Sequence, residues 1–274
     1  MLDPEDWRGV IEVDPGTNRV VQRIDTGDTA GVVATPDVVW VSSGAAGTLK
    51  RLDRRAGLRR SVVRVDGSPE AMRLFRGRLW VLDTLGRLLA LDVSTGRVVM
   101  IVALGERVGS LTDDGRRLWM AASPGRRLLA VDPRTGRVSR YRYRGGAGPS
   151  VVVFDGRRLW VGNGRENSVT AVDPRTGRAL KTVRLGPRAP TSWVPVPTWI
   201  EVVHGRLWVG HVVRVTGDSW RASVIDPTTG RRVATQWVPA GSGELATDGT
   251  AVWIQSGSSV ARVDPTAGSF DVTR

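Results

Sequence analysis

Six of the eleven tryptophans stand at near-constant intervals: Trp40, Trp80, Trp119, Trp160, Trp208 and Trp253, separated by 40, 39, 41, 48 and 45 residues. A period of this length, sustained along the whole chain, marks a repeat architecture in which each unit buries its apolar face only against its neighbours. A second marker runs in register with the first: Asp14, Asp53, Asp92, Asp132, Asp173, Asp226 and Asp264, five of them followed by Pro and most with Gly four residues on. An Asp carboxylate accepts backbone N–H groups just ahead of it, Pro presets the first turn dihedral and Gly supplies a positive φ. Each DPxTG therefore reads as a turn between two strands.

The unit from Ser150 to Leu185 parses into four strands: SVVVF, RLWVG, SVTAV and ALKTVRL. Four antiparallel strands per repeat make the blade of an all-β propeller, with the first strand innermost and the fourth outermost. The chain is expected to be one propeller domain, 1–274, with complete units at about 30–66, 68–104, 108–144, 148–185, 197–238 and 243–274. Residues 9–25 supply only a third and a fourth strand, a half-blade. Two closures are open, a seven-position ring with one half-built blade or a six-bladed ring with 9–25 paired elsewhere. The seven-fold ring is preferred, with the chain start read as truncated.

The pattern WV(A/G)N…VxxVDPxTGxVVxxxxxG, seen from Trp160 to Gly186, resembles the YVTN-type repeats of bacterial seven-bladed propellers, and the recurring W-V with I-D-P is similar to their virginiamycin B lyase group. The resemblance spans Gly9 to Arg274 and implies the fold; propellers of this type serve as lyases, ligand binders and scaffolds. The lyase branch implies a magnesium-assisted elimination, with a catalytic histidine and glutamates at the top of the channel. Of the two histidines, His204 falls in a turn, and His211 is the one credible imidazole base. Its candidate helpers are Glu201 and Glu244, then Glu166 and Asp218, with Arg214 or Arg221 to hold an anion. The glutamate that the lyase group carries three residues after the repeat Trp is missing, for those positions read Ser43, Asp83, Ala122, Asn163, His211 and Ser256. A hard cation then has too few oxygen ligands. No metal site and no cofactor are expected, magnesium entering only under the lyase alternative.

Charge needs care. The net +13 comes from 38 Arg against Lys50 and Lys181 alone, a skew that reads as coding bias rather than as a nucleic-acid site, since basic and aromatic residues are not interleaved as single-strand binders require. Most of the arginines fall in recurring turns on one rim, the bottom, which offers a positive face to an acidic partner or simply confers solubility. The run Ser139-Arg140-Tyr141-Arg142-Tyr143-Arg144 alternates charge in a way that protects an outer edge. Without cysteine there is no disulfide or thiolate site, and no run approaches the length of a membrane helix. The chain as given reads as cytoplasmic, and as extracytoplasmic if its start is truncated.

Regularity breaks in one unit. Insertions at 187–199 and 211–221 open onto the opposite rim, the top, and carry Trp193, Trp199 and Trp220 beside Arg214, Asp218 and Arg221. Loops a scaffold does not need, rich in aromatics, are where recognition usually lives; the alternative is that they pack on each other. On first strands, Arg73 and Glu201 occupy the position held by Val32, Leu111, Val152 and Leu245, either reaching water in the channel or orienting a ligand near His211. The reading is a non-catalytic ligand-binding or interaction module that takes a small molecule or peptide at its top face. The alternatives are a degenerate streptogramin-lyase-like enzyme and a structural sensor domain cut from a larger regulatory or secreted protein.

Overall fold

The computed structural model describes residues 9–14, 16–17, 19–123, 125–186, 197–214, 218–237, 242–247, 252–256, 259–263 and 270–273, with side chains except in 212–220 and from 236 onward. Strands β1 (Gly9–Asp14) and β2 (Arg19–Asp25) pair as a two-stranded sheet. Six four-stranded antiparallel sheets follow. The first blade is β3 (Gly31–Ala34), β4 (Val38–Ser43), β5 (Thr48–Asp53) and β6 (Arg59–Arg64); the second is β7 (Pro69–Phe75), β8 (Arg78–Asp83), β9 (Arg87–Asp92) and β10 (Val98–Ala103). The third is β11 (Thr112–Asp113), β12 (Leu118–Ala122), β13 (Arg127–Val131) and β14 (Val138–Arg142); the fourth is β15 (Pro149–Phe154), β16 (Leu159–Asn163), β17 (Ser168–Val172) and β18 (Ala179–Arg184). The fifth is β19 (Trp199–Val203), β20 (Arg206–Arg214), β21 (Asp218–Ile225) and β22 (Arg232–Trp237), and the sixth is β23 (Ser242–Thr247), β24 (Val252–Ser256), β25 (Ser259–Val263) and β26 (Phe270–Thr273). Among the described residues, then, six blades of four strands follow one two-stranded sheet.

The chain divides into two compact units, residues 1–107 with 131–138, and 108–130 with 139–274. In the first unit, Trp40 packs with Leu79, Val81, Leu89 and Leu91 of the next blade, and Ile24 and Val10 of the hairpin pack with Val39, Val41 and Leu52. In the second, Trp119 joins Val152, Leu159 and Val161 of its successor, and Trp160 joins Ile200, Leu207 and Val209 of the next. Each of these three tryptophans thus sits where one blade meets the next. Second strands such as Leu118–Ala122, and third strands such as Ser168–Val172, are buried along their whole length, whereas the third strand of the first blade, Thr48–Asp53, is only partly buried. Outer strands such as Arg59–Arg64 are largely exposed.

The DPxTG turns form as the sequence predicts. Asp92, Asp132 and Asp226 each accept the N–H groups two and three residues on. Gly96, Gly136, Gly177 and Gly230 close their turns at φ of 75, 70, 70 and 67°, each donating its N–H to the carbonyl of the turn's Asp. The hydrogen bonds from the Ser94 hydroxyl and the Thr95 amide hold the Asp92 carboxyl down at about 2.

On the first strands, the positions equivalent to Arg73 and Glu201 lie one residue away from those expected from the repeat. The turns between first and second strands come in two lengths: Arg76-Gly77 and His204-Gly205 are two-residue turns with φ of 50 and 71° and of 48 and 68°, the type I′ hairpin. The equivalent turn after Phe154 runs from Asp155 to Arg158. Arg73 lies opposite Trp80 and Glu201 opposite Trp208, so their equivalents are Val33, Thr112, Val153 and Ala246, not Val32, Leu111, Val152 and Leu245. A slip of one residue exchanges the two faces of a strand.

Candidate functional site

The fifth blade departs most from the repeat. In the first and fourth blades the pairing of second and third strands ends three residues after the Trp, at Ser43↔Thr48 and Asn163↔Ser168. In the fifth, the ladder passes the equivalent pair His211↔Arg221 and continues through Val212↔Trp220, Val213↔Ser219 and Arg214↔Asp218. Three added pairs lengthen the hairpin by roughly 10 Å. The insertion at 211–221 is thus a strand extension rather than a loop, except at 215–217, which lie outside the described residues. Arg214, Asp218 and Trp220 stand on this projecting hairpin by their backbone positions.

His211 sits at the base of the extension and is completely enclosed. Its Nε2 lies 2.8 Å from Ser223 Oγ, and its Nδ1 has no hydrogen-bond partner among the described residues. Burial first, then the charges of Arg232 and Arg221, lower its pKa from 6.5 to about 4. The ring is therefore neutral near pH 7 and closed off from solvent. A general base needs reach to the proton it takes.

Register separates the two residues singled out for catalysis. Glu201 pairs with Trp208 and shares its face, whereas His211, three residues further along β20, is on the opposite face. Half-buried Glu201 and buried His211 are not brought together. Beside Glu201, Trp199 is 8% exposed and its indole covers Gly210, where a Cβ would stand 2.1 Å from Trp199 Cε2. Half-buried Arg221 pairs with His211 on the Ser223 side. Arg73, on the second blade, is exposed; Trp193 and the side chain of Glu244 lie outside the described residues.

Several residues that sequence reasoning passed over do structural work. Arg158, two residues before Trp160, donates to the Pro227 carbonyl at 3.0 Å, and Arg117, two before Trp119, donates to the Pro174 carbonyl at 2.5 Å and the Tyr141 hydroxyl at 2.6 Å. Each ties its blade to the DP turn of the following one. Trp119 and Trp160 donate their indole N–H to Asp114 and Asp155, both at 2.8 Å. Inside the fourth blade Asn163 accepts from the Tyr143 hydroxyl at 2.6 Å and donates to Ser168 and Thr170 at 2.9 Å. The signal was present, since Arg recurs two residues before Trp80, Trp119, Trp160 and Trp208.

Among the described residues no helix is long and apolar enough to cross a membrane. No curated protein sequence matches the chain. Among solved structures, Kuenenia stuttgartiensis hydrazine synthase is similar at 17% identity, covering 86% of this chain and 76% of that one, with a TM-score of 0.69. The β-propeller domain of Myceliophteria_thermophila Cps50 (Swd1) is similar at 12% identity, covering 92% of this chain and 89% of that one, with a TM-score of 0.71. At these identities the likeness shows the fold, an all-β propeller. With residues 46–271 matched by its model, the chain belongs to the PQQ_2 family, described as outer membrane protein assembly factor BamB.

Proposed function

We propose that the protein is a non-catalytic binding module that engages a peptide or small molecule through the projecting hairpin of its fifth blade. The observation that carries this reading is the ladder running on from His211↔Arg221 to Arg214↔Asp218, an extension that blade packing does not require. Recognition elements are commonly such additions to a rigid scaffold. A part in protein assembly, the role that the family's description carries, suits a module of this kind.

The finer resemblance to YVTN-type and virginiamycin B lyase repeats stays with this proposal as kinship of the repeat. Elimination chemistry would need an accessible base with carboxylates beside it. His211 is enclosed, Glu201 stands on the other face, and among the described residues no three His, Cys, Asp or Glu group closely enough to hold a metal ion. The test is a thermal-shift screen of metabolites, short peptides and divalent metals, repeated on Arg214→Ala/Trp220→Ala and on His211→Ala. The expected outcome is a stabilising hit that the hairpin double variant loses. A hit that this variant retains, or turnover of a cyclic ester lost in His211→Ala, would sink the reading.

A further inference from the structure

Away from the fifth blade, the edge of the third carries a cavity of about 760 Å³ lined by Arg126, Arg127, Arg140, Arg142 and Arg144, with Tyr143 among them and no acidic residue in its wall. Its register is fixed from behind. Tyr143 is 1% exposed and donates to Asn163, and the Tyr141 ring packs 5.2 Å from that of Trp119. Because side chains alternate along β14, the packing of Tyr141 on one face sends Arg140 and Arg142 to the other, with Arg144 just past the strand's end. All five arginines are exposed. Strand β14 is also the last strand of its sheet, so its outer side presents backbone groups to whatever lies alongside.

We infer that this edge takes an extended acidic peptide segment as an added strand. The peptide backbone pairs with β14, and its carboxylates, at alternate positions, enter the arginine cavity. Arg140 and Arg142 stand ~7 Å apart, the spacing of alternate residues on a β-strand, so an alternating acidic strand meets them one for one, with Arg144 just beyond the strand's end. The same alternation repels a basic strand and leaves an apolar one without partners, which makes the edge selective rather than merely adhesive. Strand addition gives affinity through the main chain and specificity through alternate side chains. Nucleic acid fits less well, because stacking on bases needs open aromatic faces and both tyrosines are committed to packing.

The experiment uses the whole chain and a fluorescein-labelled peptide of about nine residues, a common strand length, with Glu and Thr alternating. Fluorescence anisotropy is read for wild type and for R140E/R142E, whose exposed positions leave the core untouched. Binding should weaken roughly tenfold or more in the double variant, as expected when opposed charges become like charges. It should weaken similarly when the glutamates are grouped at one end of the peptide, and when alternate peptide amides are N-methylated so that charge persists but strand pairing does not. Undiminished binding to R140E/R142E, to the grouped peptide or to the N-methylated peptide would overturn the inference. So would competition by inorganic phosphate or an oligothymidylate at concentrations equal to those of unlabelled peptide.

Discussion

At the residue scale, recurrence and chemistry part company. The positions three residues after each repeat Trp looked like an incomplete ligand set; in the structure Ser43, Asp83, Asn163 and His211 are all buried. Asp83 accepts the Arg87 guanidinium at 2.7 Å, Asn163 ties two strands together, and His211 leans on Ser223. At Asp83, Asn163 and His211 the column is internal polar bracing, in which each side chain holds a neighbouring group. His211 gives this a measurable consequence. Its folded pKa of about 4 lies below the ordinary 6.5, so its contribution to stability is complete above pH 6.5 and is lost as pH falls to about 4, roughly 3 kcal/mol in all. Wild type should therefore lose more thermal stability between pH 7 and pH 4.5 than His211→Asn does. Parallel loss in both would show that the imidazole is not held neutral. The turn aspartates, whose carboxyls are pulled below 3.8, act at lower pH and stay distinguishable.

At the element scale, the third-to-fourth strand turn was legible because its requirements are local: a carboxylate to accept N–H groups, then a residue at positive φ. At Gly177 a tertiary demand is added, for a Cβ there would stand 2.5 Å from Cδ1 of Tyr141 in the neighbouring blade. Gly177→Ala should cost about 2–4 kcal/mol from backbone strain and displacement of that ring together, read as a lower urea midpoint at unchanged slope. An unmoved midpoint would mean that turn and ring separate freely. The first-to-second strand turns were less legible. A two-residue Arg76-Gly77 and a four-residue Asp155–Arg158 connect equivalent strands, and counting back from the Trp crosses them at different offsets. That misplaced Arg73 and Glu201 by one residue, and in a strand one residue is the difference between two faces.

At the scale of the molecule, the N-terminal hairpin is not an appendage. Val10 and Ile24 pack with Val39, Val41 and Leu52, and Glu12 pairs with Arg54 at 2.5 Å. Removing residues 1–25 should uncover that patch, lower Tm by an amount equivalent to about 2–4 kcal/mol from one buried and one half-buried aliphatic side chain, and promote association visible by light scattering. A shortened chain with native Tm and monomeric scattering would refute it.

The fold was readable from residue order because blades are assembled from nearest-neighbour requirements. A Trp at three described junctions, an Asp and Gly at the third-to-fourth strand turns and apolar second strands recur in register about every forty residues. Which side chains meet was not readable, because that depends on strand parity and burial. Only the folded chain puts His211 and Glu201 on opposite faces, turns an apparent loop at 211–221 into strand, lays Trp199 over Gly210 and gathers five arginines at one edge. Those outcomes come from distances set by packing between strands far apart in sequence, about which local pattern carries no information.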